Sequence, residues 1–558
     1  MEMTRRNFVA GATATAGLVA AATAVPAFAD ESSADSGDWL GEAPAIADSD
    51  IVETLDCEVL VVGAGQSGTP CAYFAAAGGA NVLWIEANEN GVCMRSSAFG
   101  AVNSKYQKEA GVHIEPMDIL NDYTSYALNQ CSMKLWKDWV DHSAEAVEWY
   151  GGEVEKAGQR IALEYTMPPA SRYKMWPTGH GTAKDVELPD NPDNPSEASG
   201  DEPGVWAVIE ADFEAAGGTY RNNTKLIELV QDDSGSVVGA IAEGPDGYVR
   251  INASKGVVVA TGGYVNNKEM FAARQCGLEA SLSGNLNWGT SKGEGIKAML
   301  WAGAHMDHFP TTMIFDRGIV LPDQKLDRWG DEGFAFFTFA TQPFLKVNQY
   351  GKRICNESSP YDYIVHASQQ FPNHAWYPIW DSSWKEDVQQ FATIGCSTLY
   401  SRVGSNHHAP GLTGVEGQME GYVEDGHIIK ADTIEELAEG LGIDPEALTA
   451  TVERYNELAA NGVDDDFGKD AYRLSAIDEP PYYGMKVGGL ALCTLDGVVV
   501  DDNYQVLDTD NAPIPGLYCV GVDSGCCYAH TYPNFGAGTN AGRSATAGML
   551  VGKALAEK

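Results

Sequence analysis

The stretch Cys57-Glu-Val-Leu-Val-Val-Gly-Ala-Gly-Gln-Ser-Gly68 decides the fold of this chain. It is an apolar strand that runs into a Gly-x-Gly-x-x-Gly turn, and an alanine-rich helix to about Gly79 and a second apolar strand, Asn81 to Ile85, follow it. In such a βαβ unit the glycines allow the tight turn, the approach of a pyrophosphate to the helix N-terminus and close helix packing, while an acid after the second strand accepts from ribose hydroxyls. The pattern predicts a bound dinucleotide, with contacts from Gly63, Gly65, Ser67, Gly68 and Glu86.

Further glycine-rich segments continue this pattern along the chain. Gly91 to Gly100 follows the acid directly, Gly256 to Asn266 is a strand with a double-glycine turn, and Gly516 to Asp523 is another strand. With Gly293-Glu-Gly295 and Gly351-Lys-Arg-Ile-Cys-Asn-Glu357, these motifs resemble the flavin family that contains fumarate reductase flavoproteins and 3-ketosteroid dehydrogenases. The resemblance covers most of the chain.

The resemblance implies both the fold and the cofactor. The implied fold is α/β, a Rossmann-like FAD-binding domain with an inserted α+β substrate cap domain. The implied cofactor is FAD, which we expect to be non-covalent because the fingerprint is complete and no flavin-linking histidine can be identified. The family motifs add these expected FAD contacts: Ser96, Ser97, Gly100, Gly262, Gly263, Glu294, Gly521, Asp523 and Gly538.

Composition and motif order predict five segments. They are a signal peptide (1–29), a flexible leader (30–50), the first part of the FAD-binding domain (51–309), the substrate cap (310–490) and the second part of the FAD-binding domain (491–558). Pro189 to Pro203 is rich in Pro, Asp, Asn, Ser and Gly, which indicates a surface insertion. Glu435 to Leu458 is predicted to be helical within the cap.

The N-terminal segment predicts export. Thr4-Arg5-Arg6-Asn7-Phe8-Val9 is a twin-arginine pattern, and an alanine-rich apolar stretch and the small-residue site Ala27-Phe28-Ala29 follow it. We expect cleavage near Ala29 and a soluble, periplasmic or otherwise extracytoplasmic protein without membrane insertion. The alternative is a basic pair that happens to precede an alanine-rich helix.

Charge and cysteine spacing exclude several classes of protein. A net charge of −42 argues against nucleic acid and anionic lipid as partners. This charge is compatible with a solvated acidic surface or with the steering of a cationic electron donor, such as a cytochrome or another membrane-linked redox protein.

The eleven cysteines contain no C-x-x-C pair, so no metal site is expected. The adjacent Cys526 and Cys527 are either packed or redox-active. No second dinucleotide fingerprint is evident, so we expect electrons from an external donor.

The segment Tyr532-Pro-Asn-Phe-Gly536-Ala-Gly538 indicates the chemistry. A phenol and a glycine turn four residues apart can direct a Tyr O–H and a backbone N–H at one oxygen, which would form an oxyanion hole beside the cofactor. The alternative is a tight turn in which Tyr532 only fills space.

Comparison within the family separates two branches. Fumarate and urocanate reductases carry an arginine a few residues after the Asn-Glu motif, where this chain has Tyr361, and a His-His-Thr run, where it has Leu492-Cys-Thr494. They also carry an arginine before the last glycine pair, where this chain has Asn534-Phe535. Because bidentate arginines recognise carboxylates, their absence argues against a dicarboxylate substrate.

The motifs are instead similar to those of the 3-ketosteroid dehydrogenases. That similarity implies that Tyr361 transfers the proton and that the Tyr532 O–H and the Gly536 N–H hold the substrate carbonyl. Asn534-Phe535 and Thr539-Asn540 depart from the smaller or apolar residues of that branch, which leaves the exact substrate open. Candidates for the second active-site tyrosine of that branch are Tyr123, Tyr126 and Tyr165.

These residues predict an exported FAD-dependent oxidoreductase acting on a carbon–carbon double bond conjugated to a carbonyl. Hydride moves through flavin N5 and a proton through Tyr361. Enone reduction of a steroid-like or other bulky apolar substrate is favoured, because a phenol is a ready acid at pH 7 but needs a neighbouring donor to act as a base. The alternatives are a 3-ketosteroid-type dehydrogenase running in the oxidising direction, a reductase of a phenolic acrylate, and an electron-transfer flavoprotein subunit.

Overall fold

The computed structural model describes residues 39–91, 94, 98–163, 173–184, 191–193, 201–275, 277–286, 289–328, 335–393, 397–400 and 409–558. The predicted signal peptide, residues 30–38 of the leader and most of the predicted insertion lie outside these residues. The chain divides into two units, Met1–Gly41 and Glu42–Lys558. Every element given below belongs to the second unit.

The described residues form eighteen strands and thirteen α-helices. The strands are β1 (Ile51–Val62), β2 (Val82–Ile85), β3 (Phe99–Gly100), β4 (Gln159–Leu163), β5 (Gly179–Lys184), β6 (Thr219–Arg221), β7 (Lys225–Gln231), β8 (Val237–Gly244), β9 (Gly247–Val259), β10 (Leu282–Asn285), β11 (Thr312–Val320), β12 (Ala335–Phe336), β13 (Leu345–Val347), β14 (Tyr377–Trp380), β15 (Ile428–Ala431), β16 (Tyr482–Thr494), β17 (Gln505–Leu507) and β18 (Pro513–Cys519). The helices are α1 (Gly68–Ala77), α2 (Lys105–Glu109), α3 (Pro116–Tyr126), α4 (Met133–Lys156), α5 (Glu202–Ala215), α6 (Lys268–Arg274), α7 (Glu294–Trp301), α8 (Tyr361–Ser368), α9 (Trp384–Gln390), α10 (Gly411–Glu424), α11 (Ile434–Leu441), α12 (Pro445–Asn461) and α13 (Thr539–Glu557).

The first sheet has eight strands, in the order β17-β18-β9-β1-β2-β6, with β8 paired to β9 and β7 to β8. Strands β18, β9, β1, β2 and β6 are parallel to one another, whereas β17 is antiparallel to β18, and Val61 pairs with Trp84 on one side and Val258 on the other. The C-terminal end of β1, Val59 to Val62, is a continuous buried apolar run, as is typical of a parallel sheet covered by helices on both faces. This arrangement confirms the predicted α/β fold.

Helix packing behind the first turn depends on glycines. A Cβ on Gly548 of α13 would collide with the Ser67 carbonyl, and one on Gly552 would meet the backbone of Cys71 in α1. The C-terminal helix therefore lies directly against the first helix of the βαβ unit, and this contact brings the N-terminus of α13 to the same edge of the sheet.

The second sheet has seven strands, in the order β12-β11-β16-β14-β13, with β10 and β15 also paired to β16. Strand β10, Leu282–Asn285, joins it, so this sheet begins before the expected boundary at residue 310. A smaller antiparallel sheet, β3-β5-β4, is the third layer.

The predicted helical stretch from Glu435 to Leu458 is two helices, α11 and α12. Gly442 ends α11 in the left-handed region with φ +70°, and Pro445 begins α12. A glycine C-cap followed by an N-terminal proline is a regular helix boundary. None of the described helices is long and apolar enough to cross a membrane.

Candidate active site

The main cavity lies at the carboxyl ends of the parallel strands of the first sheet. Gly65, Ala260 and Gly521 follow β1, β9 and β18 respectively, and all three line the cavity. This is the edge at which open α/β sheets bind ligands. The predicted site residues that line it are Gly65, Ser67, Gly262, Tyr361, Gly521, Tyr532 and Gly538.

The three glycines of the fingerprint have distinct roles. Gly63 has φ +104°, and a Cβ there would collide with the Ala260 carbonyl. A Cβ on Gly68 would collide with the Gly63 carbonyl, so this glycine allows the close turn. Gly65 faces open space, with nothing within 4 Å of an added Cβ. The space in front of Gly65 and of the α1 N-terminus suits a pyrophosphate.

Glu86 lies at the end of β2, as predicted, and is buried. Its Oε2 accepts a hydrogen bond from Ala64 N at 2.9 Å and its Oε1 accepts one from Asn88 N at 2.8 Å. These bonds hold the carboxylate beside the glycine turn, and each oxygen keeps a second lone pair for a ribose hydroxyl.

Asp523 is not among the described residues that line the cavity, and its predicted contact with FAD stays a prediction. Its buried carboxylate accepts hydrogen bonds from Thr261 N, from Thr261 Oγ1 at 2.8 Å, from Gly262 N at 3.1 Å and from Gly263 N at 2.7 Å. Asp523 therefore holds the double-glycine turn, and Gly262 is the residue of that turn that lines the cavity.

Glu294 also lies outside the cavity lining. It is the first residue of α7, and its Oε1 lies 3.3 Å from Lys225 Nζ, with the side chain partly exposed. Ser96 and Ser97 lie outside the described residues, so their predicted contacts with FAD stay predictions.

Gly100 and Gly538 form a close backbone crossing at the start of α13. Gly100 N donates to the Gly538 carbonyl at 2.8 Å, and a Cβ on Gly538, which has φ +72°, would collide with the Ala98 carbonyl. Asn540, Ala541 and Ser544 of the first turns of α13 line the cavity. A helix N-terminus favours negative charge, which suits the electron-rich edge of a reduced flavin.

Tyr361 and Tyr532 meet in this cavity, as predicted. Tyr361 is the first residue of α8, is 4% exposed, and its ring packs edge-on against Phe315 at 5.2 Å between centroids. Tyr532 is 3% exposed, and its hydroxyl oxygen accepts a hydrogen bond from Asn540 N at 3.4 Å.

The predicted pairing of Tyr532 with Gly536 differs from the observed lining. Asn534, Ala537 and Gly538 are among the described residues that line the cavity, whereas Gly536 is not. A Cβ on Gly536 would collide with the Tyr123 hydroxyl, so this glycine accommodates that tyrosine behind the wall. The nearest candidates for a backbone donor to the substrate are therefore the N–H groups of Ala537 and Gly538.

The candidates for a second tyrosine have separate partners. Tyr123 is buried with its hydroxyl against Thr539 Oγ1, and Tyr126 Oη donates to Asp362 Oδ2 at 2.5 Å. Burial raises the pKa of both phenols. Tyr165 lies outside the described residues.

The cavity wall carries no cationic clamp in the part of the chain that the structure describes. The described lining residues include no arginine, lysine or histidine. Leu492 lines the cavity, while Asp496 accepts hydrogen bonds from Tyr264 Oη and lies 3.2 Å from Arg274 Nη2, behind the wall. Burial raises the pKa of Asp496 to about 6.

Two charged residues near Tyr361, Arg317 and Asp362, were not predicted from the sequence. The Arg317 guanidinium lies 5.0 Å from the ring centre of Phe315 and 5.6 Å from that of Tyr361. Asp362, the residue after Tyr361, is buried and accepts from Tyr126 and Thr531. Only the position of Asp362 within the Pro-Tyr-Asp motif could have identified it.

The adjacent thiols of Cys526 and Cys527 have raised pKa values. Cys526 and Cys527 are unbridged, and burial raises the pKa of Cys526 to about 12 and raises that of Cys527 as well. A reactive thiol needs the opposite shift. The described residues contain no group of three His, Cys, Asp or Glu side chains that could hold a metal.

Comparison with known proteins identifies the family. The chain belongs to the family described as FAD binding domain, which matches residues 58–539. The open space at Gly65 and the cavity-lining N-terminus of α13 at Gly538 fit FAD. The protein is therefore an FAD-dependent oxidoreductase, of a family whose related reductases and dehydrogenases act on carbon–carbon bonds.

The chain is similar to several named reductases and dehydrogenases. The chain is 26% identical to the vinyl phenol reductase of Lactiplantibacillus plantarum over 504 residues, which cover 88% of this chain and 96% of the relative. It is 30% identical to the 3-oxosteroid 1-dehydrogenase of Mycobacterium tuberculosis over 325 residues, 55% of this chain and 54% of the relative. The solved 3-ketosteroid Δ1-dehydrogenase of Sterolibacterium denitrificans shares the fold, with a TM-score of 0.69 at 18% identity over 90% of this chain and 99% of its own.

Proposed function

We propose that this protein reduces a carbon–carbon double bond conjugated to a carbonyl in a bulky, uncharged substrate. The observation that carries the proposal is the meeting of Tyr361 and Tyr532 in one cavity whose described lining has no cationic side chain. A carboxylate substrate would need a bidentate arginine or comparable cation at this wall. A carbonyl needs only neutral donors.

The two tyrosines have different roles: Tyr532 binds the substrate carbonyl and Tyr361 donates the proton. Tyr532 donates its O–H to the substrate carbonyl, and the hydrogen bond from Asn540 N to the Tyr532 oxygen strengthens that donor. Tyr361, at the start of α8, gives a proton to the α-carbon. FAD, when bound, supplies the hydride for the β-carbon. Phe315 and the neighbouring apolar lining exclude water from the reacting atoms.

We favour the reducing direction because of the chemistry of the proton-transfer group. An ordinary phenol keeps its proton until about pH 10, so it is a ready acid at neutral pH. Oxidation of a saturated ketone requires the same residue to begin as a base. The 3-ketosteroid-type oxidising reaction is therefore the second direction of the same site.

A phenolic substrate is the second candidate. The alignment with the vinyl phenol reductase spans nearly the whole of both chains, whereas that with the 3-oxosteroid 1-dehydrogenase spans about half of each. In a vinyl phenol the double bond is conjugated to the ring and there is no carboxylate, so the described lining without a cationic side chain suits it, and Tyr532 would bind the phenol oxygen.

Export and an external electron donor complete the proposal. The twin-arginine segment with Arg5 and Arg6 supports transport of the folded flavoprotein across the cytoplasmic membrane. The net charge of −42 supports a cationic donor such as a basic cytochrome.

Residues 310–490 are proposed as the substrate cap. Tyr361, which belongs to this segment, lines the cavity at the edge of the first sheet.

Anaerobic photoreduction tests the function. The bleached flavin is mixed with steroid enones, unsaturated lactones, cinnamates and vinyl phenols, with fumarate as the dicarboxylate control. We expect rapid reoxidation by one of the uncharged or phenolic compounds and little by fumarate. Reoxidation by none of the panel would favour an electron-transfer subunit, and fumarate at the best rate would contradict the substrate class.

A further inference from the structure

Asp362 connects the segments that carry the two cavity tyrosines. It follows Tyr361 on α8, it is fully buried, and its Oδ2 accepts a hydrogen bond from Thr531 Oγ1 at 2.6 Å. Thr531 is the residue immediately before Tyr532. One carboxyl oxygen thus joins the residue after one tyrosine to the residue before the other.

A second donor strengthens this connection. Tyr126, the last residue of α3, donates its hydroxyl to the same Oδ2 at 2.5 Å. Its ring stacks on Tyr363 of α8 at 5.2 Å and packs against Phe535 at 5.2 Å. Tyr126 therefore contacts both the helix that begins at Tyr361 and the turn that follows Tyr532.

The other oxygen of the Asp362 carboxyl lowers the stability of the folded protein. Asp362 Oδ1 is buried and has no hydrogen-bond partner among the described residues. A buried polar atom without a partner destabilises a fold. An apolar residue would avoid that cost, but it could not accept from Thr531 and Tyr126 together.

We propose that Asp362 is a positioning residue that fixes Tyr361 relative to Tyr532 through Thr531 and Tyr126. The inference rests on the roles proposed above for the two tyrosines. The proton donor and the carbonyl donor must reach adjacent parts of one conjugated group at the same time. A displacement of about 1 Å between such groups costs about 10²-fold in rate.

Thr531 offers the sharpest test, because valine has nearly the same shape and lacks the hydroxyl. The variants are Thr531→Val, the conservative Thr531→Ser, Asp362→Leu and the double variant of Asp362→Leu with Thr531→Val; leucine has nearly the shape of aspartate and no acceptor atom. Asp387→Leu is the matched control, since burial also raises the pKa of that α9 carboxyl to about 7, while its side-chain hydrogen bond is to Ser475. The readouts are the flavin spectrum, dithionite reduction, KM, and the single-turnover reoxidation rate with the best substrate.

We expect Thr531→Val and Asp362→Leu each to slow reoxidation by about tenfold or more, with an unchanged flavin spectrum and normal dithionite reduction. Thr531→Ser should recover most of the wild-type rate, Asp387→Leu should keep it, and the double variant should be no slower than Asp362→Leu alone, because both changes remove the same hydrogen bond. If Asp362→Leu fails to fold, the comparison of Thr531→Val with Thr531→Ser still tests the positioning role.

Three results would overturn the inference. They are a wild-type rate in Thr531→Val, an equal loss in Thr531→Ser, and independent, additive effects in the double variant. Tyr361→Phe is measured in parallel to separate this inference from the proposed function. If Tyr361→Phe is slow while Thr531→Val is not, only the positioning role fails. A full rate in Tyr361→Phe overturns both.

Discussion

The guanidinium of Arg317 lies 5.6 Å from the ring centre of Tyr361, on the strand that packs beneath α8. Its Nε donates to Thr341 Oγ1 at 2.8 Å, which holds the side chain in place. A cation at this distance interacts favourably with the ring and with negative charge developing on the phenol. Arg317 is therefore placed to stabilise negative charge that develops on Tyr361.

Arg317→Met should slow substrate-dependent reoxidation of the reduced flavin, because the positive charge beside Tyr361 is lost. We expect a decrease of about tenfold, with a smaller one for Arg317→Lys, which keeps the charge. Stopped-flow absorbance of photoreduced protein measures the rate. Arg454→Met, at an exposed arginine, is the control. Equal rates for Arg317→Met and wild type would remove Arg317 from the mechanism.

Tyr532→Phe should slow the same reaction by about 10²-fold, the usual effect of removing one oxyanion donor. The loss should appear with every carbonyl substrate in the panel. Dithionite reduction and the flavin spectrum should not change, because Tyr532 acts on the substrate. A variant that instead releases FAD while keeping normal chemistry would show that Tyr532 only packs the wall.

FAD should be released by acid precipitation, because we expect it to be non-covalent. Yellow colour in the supernatant supports this, and colour that stays in the pellet contradicts it.

Glu86→Ala should weaken FAD binding by roughly 1.5–3 kcal/mol if the carboxylate accepts from the ribose. Glu89→Ala, at an exposed position on the same loop, should bind FAD as the wild type does.

The βαβ unit could be predicted closely from the sequence because its contacts are local. The glycine turn, α1 and β2 lie within one or two residues of their predicted places, and the conflict that demands Gly68 is with the Gly63 carbonyl of the same turn, whereas the conflict at Gly63 is with Ala260 after β9. The family and its FAD cofactor are confirmed for the same reason, since the motifs are contiguous in the chain. The break at Gly442 was missed although the glycine and the following proline signalled it.

Residues defined by long-range packing were less accessible to sequence reasoning. Asp523 stands beside a glycine and was expected at FAD, but its carboxylate meets the turn after β9, far away in the chain. Gly536 matched the family position, yet its orientation depends on Tyr123 of α3. Asp362 and Arg317 gave no signal because their partners come from other layers of the fold.

Stability should depend on pH through Asp362. Burial raises the pKa of this carboxyl from its ordinary value of 3.8 to about 7. Between these values the folded protein binds a proton that the unfolded chain releases, so the contribution to stability is complete below about pH 4 and is lost as the pH rises towards 7.

Urea unfolding of wild type and Asp362→Asn between about pH 5 and pH 7 measures this effect. The free energy of unfolding of wild type relative to the variant should fall with rising pH, by up to about 1.4 kcal/mol per pH unit for one proton. A difference that does not change with pH would mean that Asp362 is ionised in the folded protein throughout this range.

The most direct test of the account is the single-turnover reoxidation of photoreduced Tyr361→Phe by the best substrate of the panel. Tyr350→Phe, at an exposed tyrosine, is the control. If Tyr361 delivers the proton, the variant should keep its FAD and its dithionite reduction but reoxidise about 10²-fold or more slowly than wild type. A yellow, folded Tyr361→Phe protein that reoxidises at the full wild-type rate would contradict the account.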